Sequence, residues 1–168
     1  VVLSPLFLIT ALAVGLTSPG GILFCQERIG LGGKPFIIYK FRTMRKENSG
    51  LKITASGDDR ITPVGRILRK TKLDELPQLI NVIRGDMSLV GPRPPLPREV
   101  EQYTPQQMRR LTVTPGLTCY WQATPRRNEL TFDQWLALDL KYIRERGMGT
   151  DIRILLDTAL AVANGEGV

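Results

Sequence analysis

The longest hydrophobic pattern stands at the front of the chain: Val1 to Leu16 are nearly all apolar, and no charged side chain occurs before Glu27. As a helix, sixteen residues reach roughly 24 Å at about 1.5 Å per residue, short of the ~30 Å hydrocarbon core that a spanning helix crosses. Pro5 within the run removes a helical hydrogen bond, and Ser4 beside it offers a hydroxyl to a freed carbonyl. A kinked helix that enters and leaves a membrane from one face is one expectation. The others are a buried core helix, a signal-peptide core in which Ala11-Leu12-Ala13 imitates a cleavage site, and the end of a longer transmembrane segment. The pattern alone weighs core helix and membrane segment equally.

After Ser18-Pro19-Gly20-Gly21, the run Ile22 to Ile29, the turn Gly30 to Gly33 and the Phe-, Ile- and Tyr-rich run Pro35 to Met44 predict a β-hairpin. Polar Arg45 to Asp59 reads as a mobile loop suited to a lid. Ile61 to Lys72 is densely basic and runs into Leu73 to Ile83, where Pro77 is tolerated only in a first helical turn. Asp74 and Glu75 are therefore expected at a helix N-terminus. Gly91-Pro92-Arg93-Pro94-Pro95 predicts a stiff loop holding one arginine, Pro115 to Ala123 a short strand, and Arg126-Arg127-Asn128 a second basic loop. Two amphipathic helices close the chain. One opens on the capping box of Thr131 and Gln134, and the other carries Ile152, Leu155, Leu156, Ala159, Leu160 and Ala163. Packing on a core is the commoner fate of such faces, while Trp135, Tyr142, Lys141, Arg144, Arg146 and Arg153 also suit a membrane interface.

Composition narrows the function. The 168 residues fit one domain with its own core. The net charge of +7 favours anionic partners such as phosphates, nucleic acid or an acidic membrane surface. Cys25 and Cys119 form no metal or disulfide pattern, and a reducing, cytosolic setting fits them best. The chain has no histidine, which removes the usual general base and every Ser-His or Cys-His device. Catalysis must then run on carboxylates, Lys, Arg, Tyr or a metal.

Asp74 and Glu75 are the leading carboxylates. A helix N-terminus with Arg69, Lys70 and Lys72 close by would keep both ionised at neutral pH. That disfavours a glycosidase pair, whose members flank a bond and include one protonated acid, and favours a nucleophile plus a metal ligand. Local pattern alone favours the plainer description, an N-cap at Asp74 and its dipole partner at Glu75.

Longer motifs change that balance. Lys40-Phe41-Arg42-Thr43-Met44, Arg60-Ile61-Thr62, Val64 to Thr71, Leu73 to Gln78 and Gly85 to Pro94 occur in that order. Together they resemble the bacterial sugar transferase family of monotopic phosphoglycosyl transferases, over nearly the whole chain. The resemblance implies a single α/β (α+β) catalytic domain over 1–168, helix-rich, with a β-hairpin and interfacial amphipathic helices. Residues 1–18 would form a re-entrant membrane helix broken at Ser4 and Pro5, and 19–168 a cytoplasmic catalytic part on the bacterial inner membrane.

It further implies Mg²⁺-dependent transfer of a sugar 1-phosphate from a UDP-sugar to a polyprenyl (undecaprenyl) phosphate, with release of UMP. Asp74 would be the nucleophile that carries the phosphosugar and Glu75 the metal ligand. Lys40, Arg69 and Arg93 would bind phosphates, Asp139 would help complete the site, and Arg127 and Asn128 would approach nucleotide or sugar. The identity of the sugar and assembly into a homo-oligomer stay open. The competing expectations are a basic nucleic-acid-binding module, for which no recognisable binding motif exists, and an inactive membrane scaffold of the same fold.

Overall fold

A computed structural model describes residues 3–18, 20–45, 58–124 and 129–164. The predicted hairpin forms from β1 (Leu23–Ile29) and β2 (Pro35–Phe41), antiparallel, with Phe24 opposite Lys40, Gln26 opposite Ile38 and Arg28 opposite Phe36. Its turn needs left-handed backbone at Gly32 and Gly33, with φ of 66° and 79°, which glycine adopts without strain. Residues directly opposite project from the same face, so Arg28, Ile38 and Lys40 share one side of the ribbon. Phe41 belongs to the other side and packs with Val14 and Leu68 in one core.

Helix α1 (Ser4–Thr17) supplies Val14, with Phe7 and Ala11 packed beside it and the Phe7 ring centroid 5.0 Å from that of Phe41. Pro5 stands in the first turn, where its missing N–H breaks no hydrogen bond, so it starts this helix and does not bend it. A bend at Ser4-Pro5 would require helix on the N-terminal side, which lies outside the described residues. The opposite side of α1 leaves Leu8, Ile9, Leu12 and Leu16 between 63% and 79% exposed. Among the described residues, no helix is long and apolar enough to cross a membrane. Most of the predicted lid, residues 46–57, also falls outside the described part.

Helix α2 (Pro63–Lys70) is capped by Thr62, whose hydroxyl accepts from the Gly65 N–H at 2.9 Å. Gly65 is required there, since a Cβ would sit 2.2 Å from the Thr43 carbonyl oxygen. Lys72, left-handed at φ 58°, then turns the chain into a 3₁₀ helix over Leu73–Gln78, followed by α3 (Leu79–Arg84). Two expectations are corrected at this point. The pair Asp74-Glu75 stands in a 3₁₀ turn and not at an α-helical N-terminus, and Asp74 is no N-cap, because Lys72 takes that position without a side-chain cap. Pro77 explains the tighter turn: it cannot donate to an i−4 carbonyl, so the regular helix starts only after it.

Strand β3 (Ser88–Val90) pairs in parallel with β4 (Gly116–Thr118), a sheet the hydrophobic pattern did not predict. Two glycines let the chains touch, for a Cβ on Gly116 would lie 2.0 Å from the Gly91 nitrogen. This contact fixes the base of the proline-rich loop. The expected strand over Pro115 to Ala123 is shorter than predicted and gives way to a helical turn over Tyr120–Ala123. Short helices α4 (Pro97–Val100) and α5 (Pro105–Met108) and a 3₁₀ turn over Arg109–Thr112 precede β4, and α6 (Tyr120–Ala123) follows it.

The two closing helices are α7 (Phe132–Glu145), with the predicted Thr131–Gln134 capping box, and α8 (Met148–Ala163). Tyr142 of α7 is buried against Val90 and Ile154, and Trp135 stacks on Trp121, so the aromatic residues read as interfacial serve the core. Helix α8 instead leaves Met148, Ile152, Leu156 and Leu160 exposed. The mixture of helix with small sheets agrees with the α/β expectation.

Candidate active site

Lys40 reaches from the Arg28–Ile38–Lys40 face of the hairpin to the 3₁₀ turn, where its Nζ lies 2.5 Å from Glu75 Oε1. Arg93 of the proline-rich loop brings Nη1 to 3.9 Å from the same oxygen. Burial would push the Glu75 carboxyl up, but Lys40, Lys72 and Arg93 outweigh it and hold the group down at about 2. Lys40 is itself held below its ordinary value by burial, against the pull of Glu75.

Asp74 behaves oppositely. It is only 8% exposed, and its Oδ1 has no hydrogen-bond partner among the described residues. Burial and then the neighbouring Glu75 anion push its carboxyl up to about 6, against Lys40, Lys72 and Arg69. At pH 7 roughly nine-tenths of such a group is ionised, so both carboxylates are anions, with Lys72 and Arg69 contributing as expected and Lys40 added to them. The contact cation is Lys40 from the hairpin; Lys70 stays exposed on α2. A buried carboxylate oxygen without a partner is an uncommon arrangement that calls for a ligand or a chemical role.

Arg69 is braced by its Nε donating to Thr43 Oγ1 at 2.9 Å, and its charge acts on Asp74. The Arg93 guanidinium lies over the Trp121 ring, 5.9 Å from its centroid, and Trp121 stacks on Trp135 with centroids 4.9 Å apart. Asp139 has no exposed surface and pairs with Arg110 Nη2 at 2.8 Å, a close ion pair that lies off the line of a good hydrogen bond. Burial pushes Asp139 up to about 6 against Arg110. Arg110 also donates to the Tyr103 hydroxyl at 2.7 Å and, at 3.4 Å, to the backbone carbonyl of Arg93.

Of the residues picked from the sequence, Lys40, Glu75 and Arg93 therefore meet directly, with Asp74 and Arg69 beside them. Asp139 joins them only through Arg110 and the Arg93 backbone. Arg127 and Asn128 lie outside the described residues, and Ser4 and Pro5 open α1. Sequence reasoning missed Arg28, Gln78 and Arg110. Arg28 had a usable signal, since the hairpin's two-residue period puts it on the face of Lys40.

Among the described residues, no three His, Cys, Asp or Glu side chains form a group that could hold a metal. What the cluster offers is an anionic, unpartnered oxygen surrounded by fixed cations. That is the environment in which a carboxylate can approach a phosphate, because the cations offset the repulsion between the two anions.

Comparison with known proteins points the same way. A family model described as bacterial sugar transferase matches residues 1–165. A galactosyl transferase of Streptococcus agalactiae is 43% identical over 161 residues, which cover 88% of this chain and 36% of that protein. A UDP-glucose:undecaprenyl-phosphate glucose-1-phosphate transferase of Caulobacter vibrioides is 46% identical over 165 residues, 92% of this chain and 61% of its own length. An uncharacterised sugar transferase of Bacillus subtilis is 41% identical over 163 residues, covering 97% of this chain and 79% of that protein. The chain thus spans about a third and about three-fifths of the first two relatives.

Proposed function

The chain belongs to the bacterial sugar transferase family, and from that premise we propose that it moves a sugar 1-phosphate from a UDP-sugar to a polyprenyl phosphate, an early membrane step in surface glycan assembly. The observation that carries this reading is the buried Asp74 carboxylate, ionisable and with an unpartnered oxygen, set among Lys40, Lys72 and Arg69. Names of relatives support the reaction type, being transferases that act from UDP-glucose, or as a phosphotransferase for N-acetylgalactosamine, on undecaprenyl phosphate.

In this mechanism an Asp74 oxygen attacks the sugar-bearing phosphorus. The bond from that phosphorus to the bridging oxygen breaks, and UMP leaves with the electron pair. An oxygen of the lipid phosphate then attacks the same phosphorus and breaks its bond to Asp74, which returns to a free carboxylate. Lys40 and Arg93 offset the charge of the phosphates and hold Glu75 as an anion throughout. Glu75 and the unpartnered Asp74 oxygen fit Mg²⁺, which takes one or two protein carboxylates and fills its remaining positions with water and substrate phosphates. When bound, the ion would neutralise phosphate charge as a Lewis acid.

The same reading puts the protein on the cytoplasmic face of the bacterial inner membrane, with α1 as a re-entrant anchor. The exposed Leu8, Ile9, Leu12 and Leu16 of α1 and the apolar stripe of α8 support contact with lipid. The sugar is not fixed by the relatives, whose names include galactosyl and glucose transferases.

The test is a purified preparation given Mg²⁺, undecaprenyl phosphate and UDP-glucose, UDP-galactose or UDP-N-acetylgalactosamine. UMP release with at least one donor is expected. Without acceptor, the intact mass should rise by one sugar phosphate, and Asp74→Asn should lose both signals. An adduct that persists in the variant would remove Asp74 from the nucleophile's role, and no turnover with any donor would overturn the reaction.

A further inference from the structure

The hairpin face that presents Lys40 also presents Arg28, with Ile38 between them at 2% exposure. Arg28 Nη1 donates to the Pro94 carbonyl at 3.0 Å and its Nη2 to Gln26 Oε1 at 2.8 Å, while its Nε is buried without a hydrogen-bond partner. Among the described residues, Arg28 forms no ion pair with a carboxylate. Gln78 lies one 3₁₀ turn beyond Glu75, 4% exposed, and its Nε2 is also buried without a partner. Arg28, Lys40, Gln78 and Arg93 line one small cavity of about 10 Å³, closed on its apolar side by Ile38 and Leu117.

Three cations and an amide thus converge on a space the size of one oxygen atom, and among the described residues Glu75 is the one carboxylate that forms an ion pair with any of them. Crowding guanidinium against guanidinium is unfavourable by itself: burial and then the charge of Arg93 hold Arg28 down at about 10. Such an arrangement is stabilised when an anion enters it. Serving only as a clamp on Pro94 would use Nη1 and leave the buried Nε and the Gln78 amide unexplained.

We propose that Arg28 and Gln78 form an anion subsite continuous with Lys40 and Arg93, which takes a non-bridging phosphate oxygen of the substrate. The proposal rests on the phosphosugar-transfer reading for its substrate class. Two sources share this chemistry, the diphosphate of the nucleotide sugar and the phosphate of the lipid acceptor.

Gln78→Glu is the deciding variant, because subsite and structural roles move it in opposite directions. A carboxylate there would pair with Arg28 and leave the fold as stable or more so, yet repel an incoming anion. Binding of inorganic pyrophosphate to the purified full-length protein can be followed by the fluorescence of Trp121 and Trp135, the chain's two tryptophans, since Arg93 lies against their stack. We expect saturable binding by the parent protein, a dissociation constant at least about tenfold higher in Gln78→Glu, and a smaller loss in Arg28→Lys, which keeps the charge and loses the fork.

A constant within twofold of the parent value in Gln78→Glu, or no saturable binding by the parent protein, would overturn the subsite. In turnover assays, a raised KM for the UDP-sugar assigns the subsite to the donor diphosphate, and a raised KM for the polyprenyl phosphate assigns it to the acceptor. Unchanged KM for both overturns it. If the parent protein binds pyrophosphate and Gln78→Glu does not, while no UDP-sugar is turned over, the transfer reading fails and the subsite stands.

Discussion

Two aspartates, Asp74 and Asp139, are buried, and burial lifts both to about 6. Both have carboxylate oxygens without a hydrogen bond among the described residues, but Asp139 Oδ2 has Arg110 at 2.8 Å, whereas Asp74 has no ion-pair partner among the described residues. Their similar titration hides different availability. The Asp139 charge is occupied by Arg110, which ties α7 to the chain around Tyr103 and Arg93. The Asp74 charge is supported only by cations at a distance, Lys40, Lys72 and Arg69, and is opposed by burial and by its neighbour Glu75, so its lone pairs remain open to a substrate. A raised carboxyl therefore marks burial, and the partner list separates a tie from a reactive group.

The comparison breaks most sharply in Asp74→Asn against Asp139→Asn. We expect Asp74→Asn to lower turnover by more than about a thousandfold while making the fold more stable at pH 7, by up to about 3 kcal/mol for a shift of roughly two pKa units. Asp139→Asn should keep the covalent phosphosugar adduct detectable by mass. Urea unfolding and UMP release measured on the same preparations decide the matter, and a destabilised Asp74→Asn would show that its carboxylate is structurally tied after all.

Removing the cation instead of the anion should hurt the other region. Arg110→Met leaves Asp139 buried without its counter-charge and takes a donor from Tyr103, so a loss of about 3 to 5 kcal/mol is expected. Adding Asp139→Leu should recover part of it, because the lone buried charge is gone. No recovery in the double variant would mean that Arg110 acts mainly through Tyr103 and the Arg93 carbonyl.

The sequence made these two regions unequally legible. Asp74 and Glu75 stood out because an acidic pair beside Pro77 follows a basic segment, and motif order assigned them roles. Their environment was not legible, because Lys40 is far off in the chain and meets Glu75 only through the packing of β2 on the 3₁₀ turn. The hairpin was readable from alternation and its glycine turn. The parallel pairing of Ser88–Val90 with Gly116–Thr118 was not, since three-residue strands carry no period and depend on a glycine contact between distant segments. Arg110 escaped notice among many basic residues, because only burial shows that it faces Asp139.

Stability against pH sharpens the comparison at smaller scale. Both aspartates have folded values above their ordinary 3.8, so their contribution is present below about pH 4 and is lost as pH rises through 6. Glu75 is depressed; its contribution is present above about 4.5 and is lost as pH falls toward 2. With no histidine in the chain, unfolding free energy should fall between pH 4.5 and 6, with a slope of up to about 1.4 kcal/mol per pH unit for each aspartate. Asp74→Asn should remove one share of that slope.

The smallest effect separates the two carboxyls through Lys40. Its charge holds down both Asp74 and Glu75, whereas the causes of the Asp139 shift are burial, Arg110 and Arg93. In Lys40→Met, the acidic limb of kcat/KM should move upward by about half to one pH unit, because Asp74 loses an attractive charge near it. The share of the stability slope that belongs to Asp139 should stay in place. If the limb is unmoved while turnover falls, Lys40 acts on substrate phosphate alone. If the limb moves and the Asp139 share moves with it, the two aspartates are coupled through Arg93, and the division between reactive group and tie is weaker than their partners suggest.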